Sequence, residues 1–177
     1  STDFSFSRFL VPYLSGFKGW SLFCDSDMLM VDDIANLWAL RNTDYAVQVV
    51  KHHHTPKEDR KFLDHPQSKY EKKNWSSVIL FNNEKCTALN VDYVNTATGL
   101  QLHQFKWLEN ESLIGELPCR WNHLVGFDKT LPTEELSLLH YTEGGPYFED
   151  YRNSDYAEVW FTEKELMTYA GKVHSAE

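Results

Sequence analysis

The sequence is poor in cysteine and in positive charge, and it has no long apolar run. Its three thiols, Cys24, Cys86 and Cys119, are odd in number and far apart. They make neither a disulfide framework nor the close Cys-x-x-Cys pair of a structural zinc site. Reduced thiols in a cytoplasmic protein are the simplest reading. No window of about 18 residues is apolar and uncharged enough to be a membrane-spanning helix. The first six residues, Ser-Thr-Asp-Phe-Ser-Phe, lack the basic start and apolar core of a secretory signal, although a signal already removed stays open. Lys and Arg number 17 against 26 Asp and Glu, a net charge of −9. Without a Lys/Arg stripe to neutralise a phosphate backbone, the chain does not read as a nucleic-acid binder. A phosphorylated ligand would need a cation or a focused basic residue here.

What is present suffices for one domain. The 177 residues are 42% apolar and 15% aromatic, enough for a sizeable core. No repeat or linker divides them. Residues 3–14 read as an amphipathic helix, with Asp3 as N-cap, Phe6, Phe9, Leu10 and Tyr13 on one face, and Pro12 kinking or ending it. Residues 20–24 are almost wholly apolar, which suits a strand buried on both faces. A helix from about Asp33, carrying Ile34, Leu37 and Trp38, leads to a strand at 44–50. Strand, helix and strand in succession predict a parallel pair and an α/β sheet. Residues 77–81 are a further strand, 91–106 a helix interrupted at Gly99, and 136–140 a last short strand. Gly144-Gly145-Pro146 punctuate the following loop. Thr162 to Glu165 match a capping box opening a helix to about Tyr169. Residues 51–73 are polar and read as an exposed excursion. Its three consecutive histidines, His52 to His54, cannot all face one ion and read as a solvated loop.

Asp25-Ser26-Asp27 follow the apolar run Leu22-Phe23-Cys24. At a spacing of two in extended backbone, both carboxylates point to one side. Such a pair repels itself unless a cation or a shared proton relieves it. Open α/β sheets bind ligands at the carboxyl ends of their strands, where this pair stands. A hard divalent ion is a natural occupant and would also neutralise a diphosphate. The plain alternative is a solvated turn, and Asp32 and Asp33 nearby read as helix caps. Cys24 lies on the strand itself and reads as an inert core thiol.

Five stretches then fall in one order: Arg8-Phe-Leu-Val-Pro12, Leu22 to Leu29, Asn74 to Asn82, Trp121-Asn122, and Leu139-His140 through Gly144-Gly145-Pro146. Together they resemble the motif series of glycosyltransferase family 8 over residues 8–148. The resemblance implies an α/β fold of the GT-A type, a mixed sheet flanked by helices. It implies a single partial domain over 1–177, with 149–177 as a C-terminal helical extension. The family's nucleobase-binding strand and helix precede the Arg-x-x-x-Pro helix, and this chain starts at that helix. An N-terminally truncated domain is therefore expected, either a piece of a longer protein or a natural short relative.

The implied activity is transfer of a sugar from a nucleotide diphosphate sugar, most simply UDP-linked, to a glycan or small-sugar acceptor. The resemblance places Mn²⁺ (or Mg²⁺) on Asp25, Asp27 and His140, with Asp25 also touching the ribose side. Imidazole beside carboxylates favours Mn²⁺. Arg8 falls near the nucleotide. Trp75, Ser76 and Ser77 fall at the donor sugar, where a tryptophan either stacks on a ring or packs in the core. Gly144 and Gly145 fall on the donor side, and Trp121 and Asn122 at the acceptor. Two departures stand out. The family's Asp-Gln pair ahead of Trp-Asn has no match, which leaves Glu109 as the candidate catalytic group. No lysine follows the glycine loop at Pro146-Tyr147. A degenerate, non-catalytic sugar-nucleotide-binding domain is the alternative. A phosphohydrolase lacks the further ligands of a two-metal site.

Overall fold

The computed structural model describes residues 3–52 and 72–174. Its strands are β1 (Trp20–Cys24), β2 (Met28–Met30), β3 (Val47–Val49), β4 (Val78–Asn82), β5 (Ile114–Glu116), β6 (His123–Leu124) and β7 (Leu138–His140). Its α-helices are α1 (Val11–Leu14), α2 (Ile34–Trp38), α3 (Val91–Thr96), α4 (Gly99–His103) and α5 (Ala157–His174). The chain divides into two compact units, Ser1–Asp25 with Leu37–Cys119, and Ser26–Asn36 with Arg120–Glu177. Among the described residues, no helix is long and apolar enough to cross a membrane.

The first unit holds a mixed four-stranded sheet in the order β1-β4-β3-β5. β4 is its central strand, and all five of its residues are buried. Burying each large apolar side chain there contributes about 1.5–3 kcal/mol. The expected parallel pairing of residues 20–24 with 44–50 does not occur. β4 inserts between those strands and runs antiparallel to both; the parallel neighbours are β3 and β5. β1 is the edge strand of this sheet, and it is half-buried along its length rather than enclosed on both faces.

The segment at residues 3–14 is not one α-helix. A 3-10 helix covers Asp3–Leu10, and α1 then begins with the buried Pro12 in its first turn, where a missing N–H costs nothing. Phe9 from this segment is wholly buried among Val47, Ile79, Phe81, Leu102 and Phe105. The expected helix over 91–106 is broken beside Gly99. Asn90 caps α3, and Thr98 with Gln101 forms a capping box that opens α4.

The second unit holds a three-stranded sheet, β2-β7-β6. β2 and β7 are antiparallel, with Met28 opposite His140, while β6 and β7 are parallel. Leu136, Leu139, Tyr141, Val125 and Tyr156 form its core, and Val159 and Trp160 from the first turn of α5 pack against it. Val159 and Trp160 thus tie the start of α5 to this core. The helix starts at Ala157, five residues before the expected cap. Thr162 lies inside it, its hydroxyl donating to the Glu158 carbonyl one turn back. Asp33 does cap: its carboxylate accepts from the Ala35 N–H at 2.8 Å.

Candidate functional site

In the second unit the ladder between β2 and β7 runs one residue past β2. The Tyr141 N–H donates to the Asp27 carbonyl at 2.9 Å. This brings Oδ1 of Asp27 to 3.4 Å from Nε2 of His140. The imidazole is buried, and its other nitrogen, Nδ1, lies 2.8 Å from Oδ1 of Asn122. The Asn122 carbonyl oxygen suits an N–H at Nδ1, and the neutral tautomer of that kind has its Nε2 lone pair towards the carboxylate. Two electron-rich atoms then face each other, and a positive charge between them satisfies both. An imidazole nitrogen held by a hydrogen-bonded partner, beside a carboxylate oxygen, is the donor set of a divalent transition-metal site. The residues present fit such an ion.

The loop after β7 shapes the same unit. A side chain on Gly145 would place its Cβ 2.3 Å from the Tyr147 ring, and one on Gly144 would lie 2.6 Å from the Tyr151 ring. A side chain at either position would therefore push the neighbouring aromatic ring aside. Tyr147 packs at a tilt against Phe148 and Trp160. Partial burial, and after it the Asp27 carboxylate, holds its phenol above the ordinary value. Tyr147 is therefore a neutral hydroxyl at neutral pH, in the stretch where no lysine occurs.

The first unit contributes a separate constellation. Asp25 extends β1 by one hydrogen bond, from its N–H to the Ser77 carbonyl at 3.0 Å. Arg8 grips its carboxylate with two nitrogens, at 2.8 and 3.2 Å, and donates to the Ser76 carbonyl at 2.7 Å. Its guanidinium also lies over the Phe23 ring. This fork-shaped contact uses the planar geometry that lysine lacks. Beside it opens a cavity of about 280 Å³ whose walls include Arg8, Asp25, Lys72, Lys73, Ser76 and His103. Asn74, in left-handed backbone conformation, turns the chain into the Trp75–Ser77 3-10 turn that forms one wall. Cys24 is inert: burial, with Asp25 adding to it, pushes its thiol up to about 11.

Three of the expected site groups lie away from an open surface or from this cavity. Trp121 and Asn122 are buried, so neither offers a surface to an acceptor; Asn122 orients His140 instead. Trp75 is no open platform: its indole N–H donates to the His52 carbonyl, and Lys51 and Lys72 approach its ring. Glu109 is exposed in the turn after α4 and is not part of the cavity wall. The group from that stretch which reaches the cavity is His103, flanked by Ser76 Oγ at 2.7 Å and Ser5 Oγ at 3.2 Å. Burial, aided by the Arg8 charge, lowers its pKa to about 4. Sequence reasoning passed over it. His53 and His54 lie outside the described residues.

No protein-family profile matches the chain. It is similar to Protein CDI of Arabidopsis thaliana, with 44% identity over 170 residues, covering 93% of this chain and 65% of that protein. The chain therefore spans less than two thirds of that relative. Among solved structures, the apo form of the glycosyltransferase GlyE of Streptococcus pneumoniae TIGR4 superposes with a TM-score of 0.61 at 19% identity. That match covers 89% of this chain and 42% of GlyE. The bifunctional glycosyltransferase WbbM matches with a TM-score of 0.59 at 16% identity, over 87% of this chain and 34% of its own. The galactosyltransferase LgtC, solved with donor and acceptor sugar analogues, gives 0.56 at 16% identity, over 90% and 65%. The fold is thus the GT-A-like α/β fold of these glycosyltransferases.

Proposed function

We propose that this chain forms the metal-binding part of a glycosyltransferase that moves a sugar from a nucleotide diphosphate sugar, UDP-linked, to a sugar or glycan acceptor. The observation that carries this reading is the pairing of Asp27 with a buried His140 whose second nitrogen is held by Asn122. Asp25, two residues before Asp27 in the chain, is the third proposed ligand. When bound, Mn²⁺ (or Mg²⁺) would act as a Lewis acid on the leaving diphosphate and as a template. Arg8 fixes the Asp25 carboxylate and adds positive charge where an acidic protein must receive a diphosphate. Ser76, Ser77 and the left-handed Asn74 give the adjacent cavity hydroxyl and amide groups suited to sugar hydroxyls.

A second reading, a sugar-nucleotide-binding domain without turnover, is favoured by one feature. Among the described residues, the only carboxylate in the cavity wall is Asp25, which Arg8 already holds, and the ring beside it is a neutral imidazole. Calorimetric titration with UDP, with and without Mn²⁺, tests both. Binding that requires Mn²⁺ and is lost in Asp27→Asn supports the shared site; equal binding without metal, or in that variant, refutes it. Release of UDP from a panel of donors in the presence of sugar acceptors then separates transferase from binder.

A further inference from the structure

The sheet of the second unit is short for the precision it must deliver. β2 and β7 have three residues each and β6 has two. No tight turn fixes the register of β2 on β7, which lie more than a hundred residues apart in the chain. Burial does not fully replace such a turn. A slip of one residue sends every side chain to the wrong face, but a slip of two keeps each face and moves a residue about 7 Å along its partner. Asp27 would then no longer meet His140. A set of polar contacts stands at the other end of the ladder. There the Val31 N–H donates to the Ser137 carbonyl at 2.9 Å, and the Ser137 N–H donates to the Arg120 carbonyl at 2.9 Å. Ser137 is wholly buried, and its hydroxyl is used in both directions. It donates to Oδ2 of Asp32 at 2.8 Å and accepts from Nε of Arg120 at 2.6 Å. The Arg120 guanidinium also reaches the Leu136 carbonyl at 3.4 Å and Asp32 itself at 3.5 Å. The other Asp32 oxygen accepts from the Asp33 N–H at 2.7 Å and the Asn36 amide at 2.9 Å. The Ser137 hydroxyl, ahead of these, holds the Asp32 carboxyl below its ordinary value, so it is charged at neutral pH. One hydroxyl thus ties together the chain after β2, the chain before β7 and the 3-10 turn Cys119–Asn122. Asn122, the last residue of that turn, is the partner of His140.

We infer that Asp32, Arg120 and Ser137 are positioning residues for the Asp27–His140 pair: a register lock that sets Asp27 and Asn122 against His140 from the opposite end of the sheet. This role rests on the metal-binding reading above. It differs from an ordinary stabilising contact in what it controls. Charge-assisted hydrogen bonds to a buried hydroxyl tolerate little displacement. A two-residue slip would break all of them at once, so the network picks one register from those that burial allows.

Two measurements test it: amide exchange followed by NMR without metal, and calorimetric titration with Mn²⁺ in the presence of UDP. The Tyr141 amide, which bonds to Asp27 at the far end of the ladder, reports on the lock directly. In Ser137→Ala its exchange should quicken about tenfold or more while the amides of β4 keep their rates. Mn²⁺ should bind the same variant about tenfold or more weakly. Asp32→Asn keeps the side chain's shape but loses the charge and one accepting oxygen, and should show both changes to a smaller extent. Thr98→Ala, which loosens the cap of α4 in the first unit, should show neither. Unchanged Tyr141 exchange in both network variants overturns the lock and leaves the metal reading standing. Faster exchange with Mn²⁺ affinity within about twofold of the parent makes the network structural only and likewise overturns the positioning role. A parent protein that binds no Mn²⁺, or an Asp27→Asn protein that binds it as tightly, removes the metal reading and the positioning role with it.

Discussion

The buried contact between Asn122 and His140 gives the sharpest test of the metal site. Asn122 Oδ1 and His140 Nδ1 are 2.8 Å apart, and the two residues are 0% and 3% exposed. Asn122→Leu keeps the side chain's bulk but leaves a buried imidazole N–H without this acceptor. Leaving such a group unsatisfied costs about 1–3 kcal/mol. It also removes the constraint that keeps the proton on Nδ1 and the Nε2 lone pair towards Asp27. Partners of metal-bound histidines are worth about 10–100-fold in metal affinity, which corresponds to about 1.4–2.7 kcal/mol. Mn²⁺ titrated calorimetrically into protein saturated with UDP should therefore bind Asn122→Leu about 10–100-fold more weakly. Asn122→Asp, which retains an acceptor for Nδ1, should recover most of the loss. Thermal melts would run alongside, with a fall of about 1–3 kcal/mol in the leucine variant. A folded Asn122→Leu protein that holds Mn²⁺ within twofold of the parent would refute the assignment of Nε2 as a ligand.

Three further outcomes follow from the same geometry. Thr98→Ala removes the hydroxyl that accepts from the Gln101 N–H and should lower stability by about 1 kcal/mol in urea unfolding; an unchanged midpoint would show that α4 is held by packing alone. Gly145→Ala drives a Cβ into the Tyr147 ring, so the ring must leave its place against Trp160, and near-ultraviolet circular dichroism should change while the far-ultraviolet spectrum does not. His103 has a folded pKa of about 4, below its ordinary 6.5, so the unfolded chain takes up a proton first as pH falls. Its contribution is therefore a loss of stability that begins near pH 6.5 and is complete below about pH 4, at most about 3 kcal/mol. His103→Gln should flatten that part of the stability–pH curve, and an identical curve in the variant would contradict the shift.

How far these features could be read in advance depended on whether each was local. β4 was legible because a continuous apolar run means burial on both faces, and the strand is buried at every residue. The same signal misled at residues 20–24. An apolar run cannot tell a strand flanked on two sides from the edge strand of a sheet, and β1 is half-buried. β2, β5 and β6, of three, three and two residues, are too short for alternation to show. Thr162 matched a capping pattern but sits inside α5, because the pattern needs a non-helical residue at its start, and here the helix already runs from Ala157.

The candidate site divides along the same line. Asp27 and His140 could be named because they fall within ordered motifs, yet their meeting depends on β2 and β7 pairing across more than a hundred residues. Asn122 shows what a motif leaves out. As part of a Trp-Asn pair it was expected to face an acceptor; the fold buries it completely, and a buried amide must find a partner. That requirement, together with the equal need of a buried imidazole, turns a surface expectation into a buried pairing with His140. Charge behaved in the same way. A net −9 spread over the chain argued against a nucleic-acid binder, but an average has no location. Arg8, Lys72 and Lys73 are scattered from residue 8 to residue 73 and line one wall only after folding. Where charge gathers is therefore set by the fold and not by the composition.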